Sequence, residues 1–298
     1  MNRFFGFLLF GLVGIILTIA PLQASAEDPL TIYTVNYPLQ YFAQRIAGEH
    51  AQVIFPGPED EDPAFWMPDT ETIQRYQQAD LILLNGAGYA KWAKRVSLPR
   101  LRSVDTSAGF RDRLIREQGG ISHSHGPGAD HSHAGIAFTT WLDFEQAAQQ
   151  AEAIMQALVR KRPAHQAEFQ RNYAVLEKEL MSLDAEISSL ATGTVQPLVA
   201  SHPVYQYLAR RYGLNLKALM WEPETVPDEI QWQALSALLQ EHPANWMIWE
   251  GQPAPASVQR LKEMEIESLS YDPCANIPAS GDFMGVMRRN INNLKTVF

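Results

Sequence analysis

The sequence predicts an α/β protein of two lobes, each a parallel β-sheet flanked by helices, joined by a long helical connector. Short apolar runs alternate with amphipathic segments in residues 27–142 and again in residues 191–298. Such alternation is typical of parallel sheets whose strands are connected through helices. The intervening residues 143–190 are rich in Ala, Gln, Glu and Leu, most of which favour helix. These three stretches are the predicted amino-terminal lobe, connector and carboxy-terminal lobe.

The first predicted lobe begins with a buried strand and ends in a histidine-rich loop. Its apolar runs stop at glycine and proline residues, which interrupt regular structure. The predicted elements are strands at Leu30–Val35, Gln52–Phe55 and Leu81–Leu84 and helices at Leu39–Ala47, Thr70–Gln78 and Tyr89–Ala93. Residues 119–135, rich in Gly, Ser and His, form the predicted loop.

The connector contains two predicted helices, Asp143–Lys161 and Ala164–Leu190, separated by a break at Arg162-Pro163. Proline inside a helix removes a backbone hydrogen bond and clashes with the preceding turn. The alternation resumes after Gly193. The predicted elements of the second lobe are strands at Leu198–Ser201, Leu214–Leu219, Trp246–Trp249 and Ser268–Tyr271 and helices at Val204–Tyr212, Glu229–Gln240, Pro255–Met264 and Phe283–Leu294.

The amino terminus is predicted to be an export signal. A basic residue, Arg3, precedes the apolar run Phe4–Ala20, and Ala24-Ser25-Ala26 has the small-x-small pattern of a cleavage site. Removal of residues 1–26 gives a mature chain that begins near Glu27, in the periplasm. The alternative is an uncleaved anchor, because the apolar run approaches the ~20 residues that span a bilayer. The single cysteine excludes an intrachain disulfide.

The charge balance narrows the class of partners. The chain has a formal net charge of -9, and loss of residues 1–26 makes it one unit more negative. An acidic protein is a poor candidate for binding nucleic acid or anionic lipid, and a good one for cationic ligands. Nucleic acid is therefore not an expected partner.

Polar residues follow three predicted strands of the second lobe. His202, Glu250 and Asp272 each stand just beyond a strand end. Ligands of open parallel sheets bind in the crevice outside the carboxyl ends of the strands. Imidazole and carboxylate are suitable ligands for first-row metals. Each residue also has a structural alternative. His202 could be a hydrogen-bonded residue at a helix start, Asp272 a turn residue, and Glu250 a residue that orients His202 without binding metal.

Five sequence segments, taken in their order along the chain, resemble segments of the zinc/manganese cluster of ABC-transporter binding proteins. They are Ile73–Gly86, the histidine-rich loop, Trp141–Asp143, Ala200–Pro203 and Tyr271–Pro273. The resemblance covers nearly all of the mature chain. It implies two lobes joined by a long helix, a metal held between them, and delivery to an ABC transporter permease in the inner membrane by a monomeric binding protein.

The sequence departs from that family at two first-lobe positions. Ala64 and Thr139 stand where the family has metal-ligating histidines. Alanine cannot ligate a metal, and a neutral threonine hydroxyl is a poor zinc ligand. Asp62, the last residue of an acidic run, is one nearby substitute.

Four histidines of the loop, His123, His125, His131 and His133, are the other substitutes, since short histidine-rich tracts commonly bind transition metals. His133 lies six residues before Thr139, within ~20 Å along an extended chain, so it can reach the same place. We expect the loop either to supply the first-lobe ligand or only to collect metal.

The function predicted from the sequence is capture of a divalent transition metal for an ABC transporter. Zinc is the expected metal and manganese the alternative, because nitrogen ligands favour zinc. Two alternatives stay open: a binding protein for an organic solute or metal chelate in a cleft lined by Trp66 and Trp141, and a metal-dependent periplasmic enzyme. The sequence has no Walker loop, Gly-x-Ser-x-Gly elbow or His-Glu-x-x-His motif, so an enzyme is not expected.

Overall fold

The protein is described from a computed structural model. The structure describes Met1 and residues 27–117, 122–124, 130–132, 135–193 and 196–298. For residues 117, 122–124 and 130–132 it describes the backbone only. The predicted export signal lies outside these residues. Within the described part of the chain, no helix has both the length and the apolar character needed to cross a membrane.

The first lobe is built on a four-stranded parallel sheet. The sheet order is β2-β1-β3-β4. Its elements are β1 (Leu30–Thr34), α1 (Tyr37–Ala47), β2 (Ala51–Ile54), α2 (Thr70–Gln78), β3 (Leu81–Leu84) and β4 (Ser103–Asp105). The first three strands and both α-helices confirm the prediction, while the helix predicted at Tyr89–Ala93 is a single 3-10 turn at Lys91–Lys94. β4 was not predicted, because its three residues are all only half-buried and include two polar side chains.

The segment predicted as a loop contains paired strands. β5 (Arg116–Glu117) pairs antiparallel with β8 (Gly135–Ile136), and between them β6 (Ser122–Ser124) pairs with β7 (Asp130–Ser132). The prediction of a loop over residues 119–135 was therefore wrong for Ser122–Ser124, Asp130–Ser132 and Gly135, while Arg116–Glu117 and Ile136 flank that segment. Ser and His have no strong strand preference, so periodicity gave no signal there.

The connector is a pair of packed helices. α3 (Phe144–Lys161) is capped by Asp143, whose carboxylate accepts from the Gln146 amide at 3.2 Å. A single turn of 3-10 helix at Pro163–His165 follows, and α4 (Gln166–Ala191) then packs along α3. The predicted break at Arg162-Pro163 is confirmed. Both helices pack on α1, and α4 also packs on α5 and α8 of the second lobe.

The second lobe repeats the parallel-sheet plan. The sheet order is β10-β9-β11-β12. Its elements are β9 (Pro197–Ala200), α5 (Gln206–Tyr212), β10 (Asn215–Ala218), α6 (Glu229–Glu241), β11 (Trp246–Trp249), α7 (Pro255–Glu263), β12 (Glu267–Ser270) and α8 (Phe283–Leu294). All of these elements were predicted, with ends that differ by one or two residues.

The two lobes share one apolar core and several direct hydrogen bonds. The main core runs from the first sheet through α3 and α4 to α8, and a smaller cluster surrounds Trp221 and Trp249. Trp141 is fully buried, and its Nε1 donates to the Pro273 carbonyl at 2.7 Å. The Tyr37 amide donates to the Ala275 carbonyl at 3.0 Å. Two segments of the first lobe are therefore hydrogen-bonded to residues 273–275 of the second lobe, in addition to the links through the connector.

Arg211 ties the second lobe to the helix pair. Its Nε and Nη2 bind the two carboxylate oxygens of Asp184 in α4 at 2.9 and 2.8 Å, and its Nη1 binds Glu145 in α3. Asp184 is buried and also accepts from the Tyr212 hydroxyl at 3.0 Å. Bidentate arginine–carboxylate pairs are among the stronger charge-assisted contacts.

We expect Arg211→Met to lower the free energy of unfolding by about 2–3 kcal/mol, because it leaves the buried Asp184 carboxylate without its cation. Chemical denaturation followed by circular dichroism measures this. The matched control is Arg160→Met on the exposed face of α3, expected to change stability by less than about 0.5 kcal/mol. Equal losses in the two variants would show that the ion pair contributes nothing.

Candidate metal site

A cleft of about 740 Å³ opens between the lobes. The first lobe contributes the acidic run 59–62 and an aromatic wall made of Phe65, Trp66, Tyr89 and Phe138. The second lobe contributes the segments that follow its strands: His202, Val204, Glu222–Glu224, Glu250, Gly251 and Asp272–Asn276 except Cys274. The cleft thus lies at the carboxyl edge of the second sheet, where ligands of open parallel sheets bind.

Each strand of the second sheet is followed by at least one acidic or imidazole side chain in the cleft. His202 comes two residues after β9, Glu222 four after β10, Glu250 directly after β11 and Asp272 two after β12. Backbone hydrogen bonds hold these strand exits side by side. The Trp221 amide donates to the Ser201 carbonyl at 2.7 Å, and the Ser201 amide donates to the Ile248 carbonyl at 2.8 Å.

Three of these side chains converge. His202 Nδ1 lies 3.6 Å from Glu222 Oε1 and 3.8 Å from Glu250 Oε1, and the three ligand atoms all lie within 4.8 Å of one another. Ligand atoms around a tetrahedral zinc ion, at ~2.0–2.2 Å from it, stand about 3.4 Å apart. Small side-chain movements therefore bring these atoms to the separation that one divalent cation requires.

The electrostatics of the cluster favour a cation. Burial raises the pKa of the Glu250 carboxyl well above its usual range. Four neighbouring carboxylates raise it further: Asp62, Glu222, Glu224 and Asp272. Carboxylates that face one another resist ionisation unless positive charge comes between them. A divalent cation supplies that charge.

Asp272 lies in the cleft wall beside the converging group. Its Oδ1 accepts from the Cys274 amide at 2.6 Å, and its backbone amide and carbonyl are both bound by the Asn290 side chain. Burial raises the pKa of its carboxyl, opposed by the Cys274 amide and by Arg289. The structure thus brings His202 and Glu250 together as predicted, but joins them first to Glu222 rather than to Asp272.

The first lobe presents a carboxylate near the two positions that lack histidine. Ala64 is fully buried, and its amide donates to Asp62 Oδ1 at 2.8 Å. The negative charge of Asp62 raises the pKa of both Tyr89 and Glu250, so it acts across the cleft on the second lobe. The Thr139 hydroxyl donates to the Val204 carbonyl and so ties the lobes together.

The four loop histidines could not be placed in this site. The backbone pairs His123 with His131. The side chains of these two residues, and the whole of His125 and His133, lie outside the described part of the structure. Their role stays a prediction.

Sequence reasoning missed Glu222 and misplaced Trp141. Glu222 stands four residues beyond the end of β10, whereas His202, Glu250 and Asp272 stand only one or two residues beyond their strands. The signal that could have found it is the Trp221-Glu222-Pro223 turn after the one strand of the second sheet left without a candidate. Trp141 is buried in the core instead of lining the cleft, whereas Trp66 does line it.

Two parallel sheets, a shared helix pair and an acidic cleft at the strand ends define a two-lobe solute-binding protein. The family model described as "Zinc-uptake complex component A periplasmic" matches residues 32–297. The chain belongs to this family, which confirms the resemblance.

Curated relatives carry metal-binding names. A zinc-binding lipoprotein, AdcA, from Streptococcus pneumoniae is 24% identical over 302 residues, which cover 97% of this chain and 60% of AdcA. The iron-binding protein YfeA from Yersinia pestis is 28% identical over 216 residues, covering 68% of this chain and 63% of YfeA. The chain thus spans about 60% of the length of these relatives.

Solved structures share the fold. Zn(II)-bound AdcA from Streptococcus pneumoniae gives a TM-score of 0.75 at 21% identity, over 90% of this chain and 57% of that one. The metal-dependent lipoprotein YcdH from Bacillus subtilis gives 0.76 at 19% identity, over 90% of this chain and 98% of that one. Both likenesses establish the two-lobe architecture.

We expect Glu222→Gln to weaken zinc binding by at least about tenfold, since even residues that only orient metal ligands cost about 10- to 100-fold when changed. Competition with a chromophoric zinc chelator measures the affinity. Glu267→Gln is the matched control. It makes the same chemical change on an exposed side chain at the first residue of β12, outside the cleft, and should cost no more than about fivefold, the effect of an exposed charge. Unchanged affinity in Glu222→Gln would remove this residue from the site.

Proposed function

We propose that this protein captures a divalent transition metal, zinc in the first place, in the interlobe cleft. It then delivers the metal to the permease of an ABC transporter in the inner membrane. The observation that carries the proposal is the convergence of His202, Glu222 and Glu250 in an acidic cleft. Membership of a zinc-uptake family and the zinc-binding names of the AdcA relatives support it. In this proposal the protein is a monomeric carrier and not an enzyme.

The proposed place of action is the periplasm. The family description names that compartment. Residues 1–26 have the pattern of an export signal, which supports secretion followed by cleavage near Glu27. Metal captured there is still outside the inner membrane, so a permease is required to move it inward.

The donor atoms support zinc over manganese. A given set of nitrogen and oxygen ligands binds zinc more tightly than manganese, because affinity rises along the first transition row. The His202 ring is the nitrogen donor of the converging group, and Asp272, which lines the same cleft, is the candidate fourth ligand. Manganese remains the alternative because the other donors are carboxylates, which manganese accepts well.

A metal chelate is a second candidate ligand, and the size of the cleft favours it. A cavity of about 740 Å³ is far larger than a bare ion, since a water molecule occupies about 30 Å³. Trp66 and Phe138 give it an aromatic wall suited to the organic part of a complex. The converging ligands would then hold the metal, and the aromatic wall its chelator.

Elemental analysis of the mature protein tests the main proposal. The protein is stripped of metal, equilibrated with a mixture of zinc, manganese, nickel and iron(II), and passed through a desalting column. We expect the retained metal to be mainly zinc, and the amount to fall by one equivalent in His202→Ala. Retention of no free metal by the wild-type protein contradicts the proposal and leaves the chelate as the candidate ligand.

We propose that the histidine-rich loop supplies the first-lobe ligand that Ala64 and Thr139 do not. The strand pair at the base of the loop allows a clean excision. Glu117 and Gly135 are directly opposite each other in β5 and β8. A two-residue Asn-Gly turn can therefore replace residues 118–134 without moving the lobe.

We expect this excision to weaken the zinc site defined by His202 by at least about tenfold, the minimum cost of losing a ligand. The control is the same chain with the four loop histidines changed to serine, which keeps the loop and removes its imidazoles. Both variants are titrated against the chromophoric chelator. If both keep the tight site of the wild type, the loop only collects metal and Asp62 becomes the first-lobe candidate.

A further inference from the structure

A second group of metal-ligating side chains lies outside the cleft. It consists of His50, His165 and Glu168, whose ligand atoms all lie within 4.8 Å of one another. All three side chains are half-buried, so they are both positioned by the fold and reachable from solvent. The proposed cleft function uses none of them.

The three residues come from separate turns that the fold brings together. His50 ends the 3-10 turn Gly48–His50, immediately before β2. His165 ends the turn Pro163–His165 that joins α3 to α4, and Glu168 lies in the first turn of α4. Because β2 starts at this group and runs toward the cleft, its length of four residues sets the separation at about 13 Å or more. The two groups therefore cannot share one ion.

Side-chain contacts already hold the group together. His50 Nε2 lies 3.0 Å from Glu168 Oε2, and the rings of His50 and His165 stack with centroids 3.8 Å apart and planes inclined by 30°. The hydrogen bond from His50 lowers the pKa of the Glu168 carboxyl. The carboxylate is therefore ionised at neutral pH. The buried Phe169 ring packs edge-on against the His50 ring, with the ring centroids 5.5 Å apart.

The donor set matches a particular class of ion. Two imidazoles and one carboxylate suit late first-row divalent metals and leave positions for water. The rings have to turn out of their stack for their nitrogen lone pairs to converge on one ion. Arg171 is the nearby cation, and its charge also lowers the pKa of Glu168. It is exposed and can move aside.

We propose that His50, His165 and Glu168 form a second divalent-metal site, which takes zinc or nickel at the edge of the first lobe remote from the cleft. A metal bound there joins the end of α1 to the turn between α3 and α4. It therefore fastens the helix pair to the first sheet. The site does not depend on the function proposed for the cleft.

Two measurements on the full mature protein test this site. Crystals soaked in nickel or zinc and measured at the metal absorption edge should show an anomalous peak between His50 and Glu168. Equilibrium dialysis should show that the double variant His50→Gln/His165→Gln binds one metal equivalent fewer than the wild type. The same loss should appear in Glu168→Gln. This variant keeps both rings in place and serves as the test if the double variant folds poorly.

Controls separate this site from the cleft. Arg171→Gln removes the neighbouring charge without removing a ligand and should keep the full metal count. His202→Ala should lose a different equivalent, so that its loss and that of the double variant add together. Absence of the anomalous peak, or an unchanged count in both the double variant and Glu168→Gln, overturns the proposal whether or not the cleft binds metal.

Discussion

Acidic side chains gathered at the strand ends of the second sheet determine the electrostatics of the cleft between the lobes. Glu222, Glu250 and Asp272 are directed into one cleft by strand exits that backbone hydrogen bonds lock side by side. Asp62 adds a further charge from the opposite lobe. Carboxylates in such a setting repel one another and lose hydration, so the fold has to hold them in place at a cost in stability. A cation removes that cost, which makes the apo protein receptive to metal by construction.

The scaffold that bears this repulsion is stiff. Trp141 reaches from the start of α3 to the carbonyl of Pro273, one residue beyond Asp272, and the Asn276 side chain donates to the Pro58 carbonyl at 2.6 Å. A continuous apolar core runs beneath both lobes. These links connect both walls of the cleft to one core. We therefore expect adjustment to a cation to fall to the side chains at the strand ends and not to a rotation of the lobes.

Periodicity predicted most of the fold because most elements bury one face against a common core. The strands of the second sheet are short apolar runs bounded by turns, and the order of helices between them leaves a parallel sheet as the simple solution. The same reasoning failed at β4 and in the paired strands of the histidine-rich segment, where partly exposed or polar residues carry no apolar pattern. In the candidate site, His202 and Glu250 could be proposed from the sequence because they stand one or two residues beyond strand ends. Glu222 was missed because its position depends on the path of a turn, which the sequence does not encode by spacing.

The two first-lobe positions at which the sequence resemblance implies histidines hold Ala64 and Thr139, and both residues have other structural roles. Ala64 is fully buried, so a larger side chain there would need the surrounding core to move, and the Thr139 hydroxyl is committed to the Val204 carbonyl. The polar groups that remain on this wall in the described part of the chain are mainly carboxylates, Asp62 foremost. A shell rich in carboxylates attracts divalent cations in general, including the hard ions that oxygen ligands prefer. The imidazole of His202 is therefore the donor through which the described cleft can favour a late transition metal over calcium or magnesium. In the function proposed above, the strand exit that places His202 beside Glu222 and Glu250 sets the selectivity for the metal, and the surrounding carboxylates attract the cation.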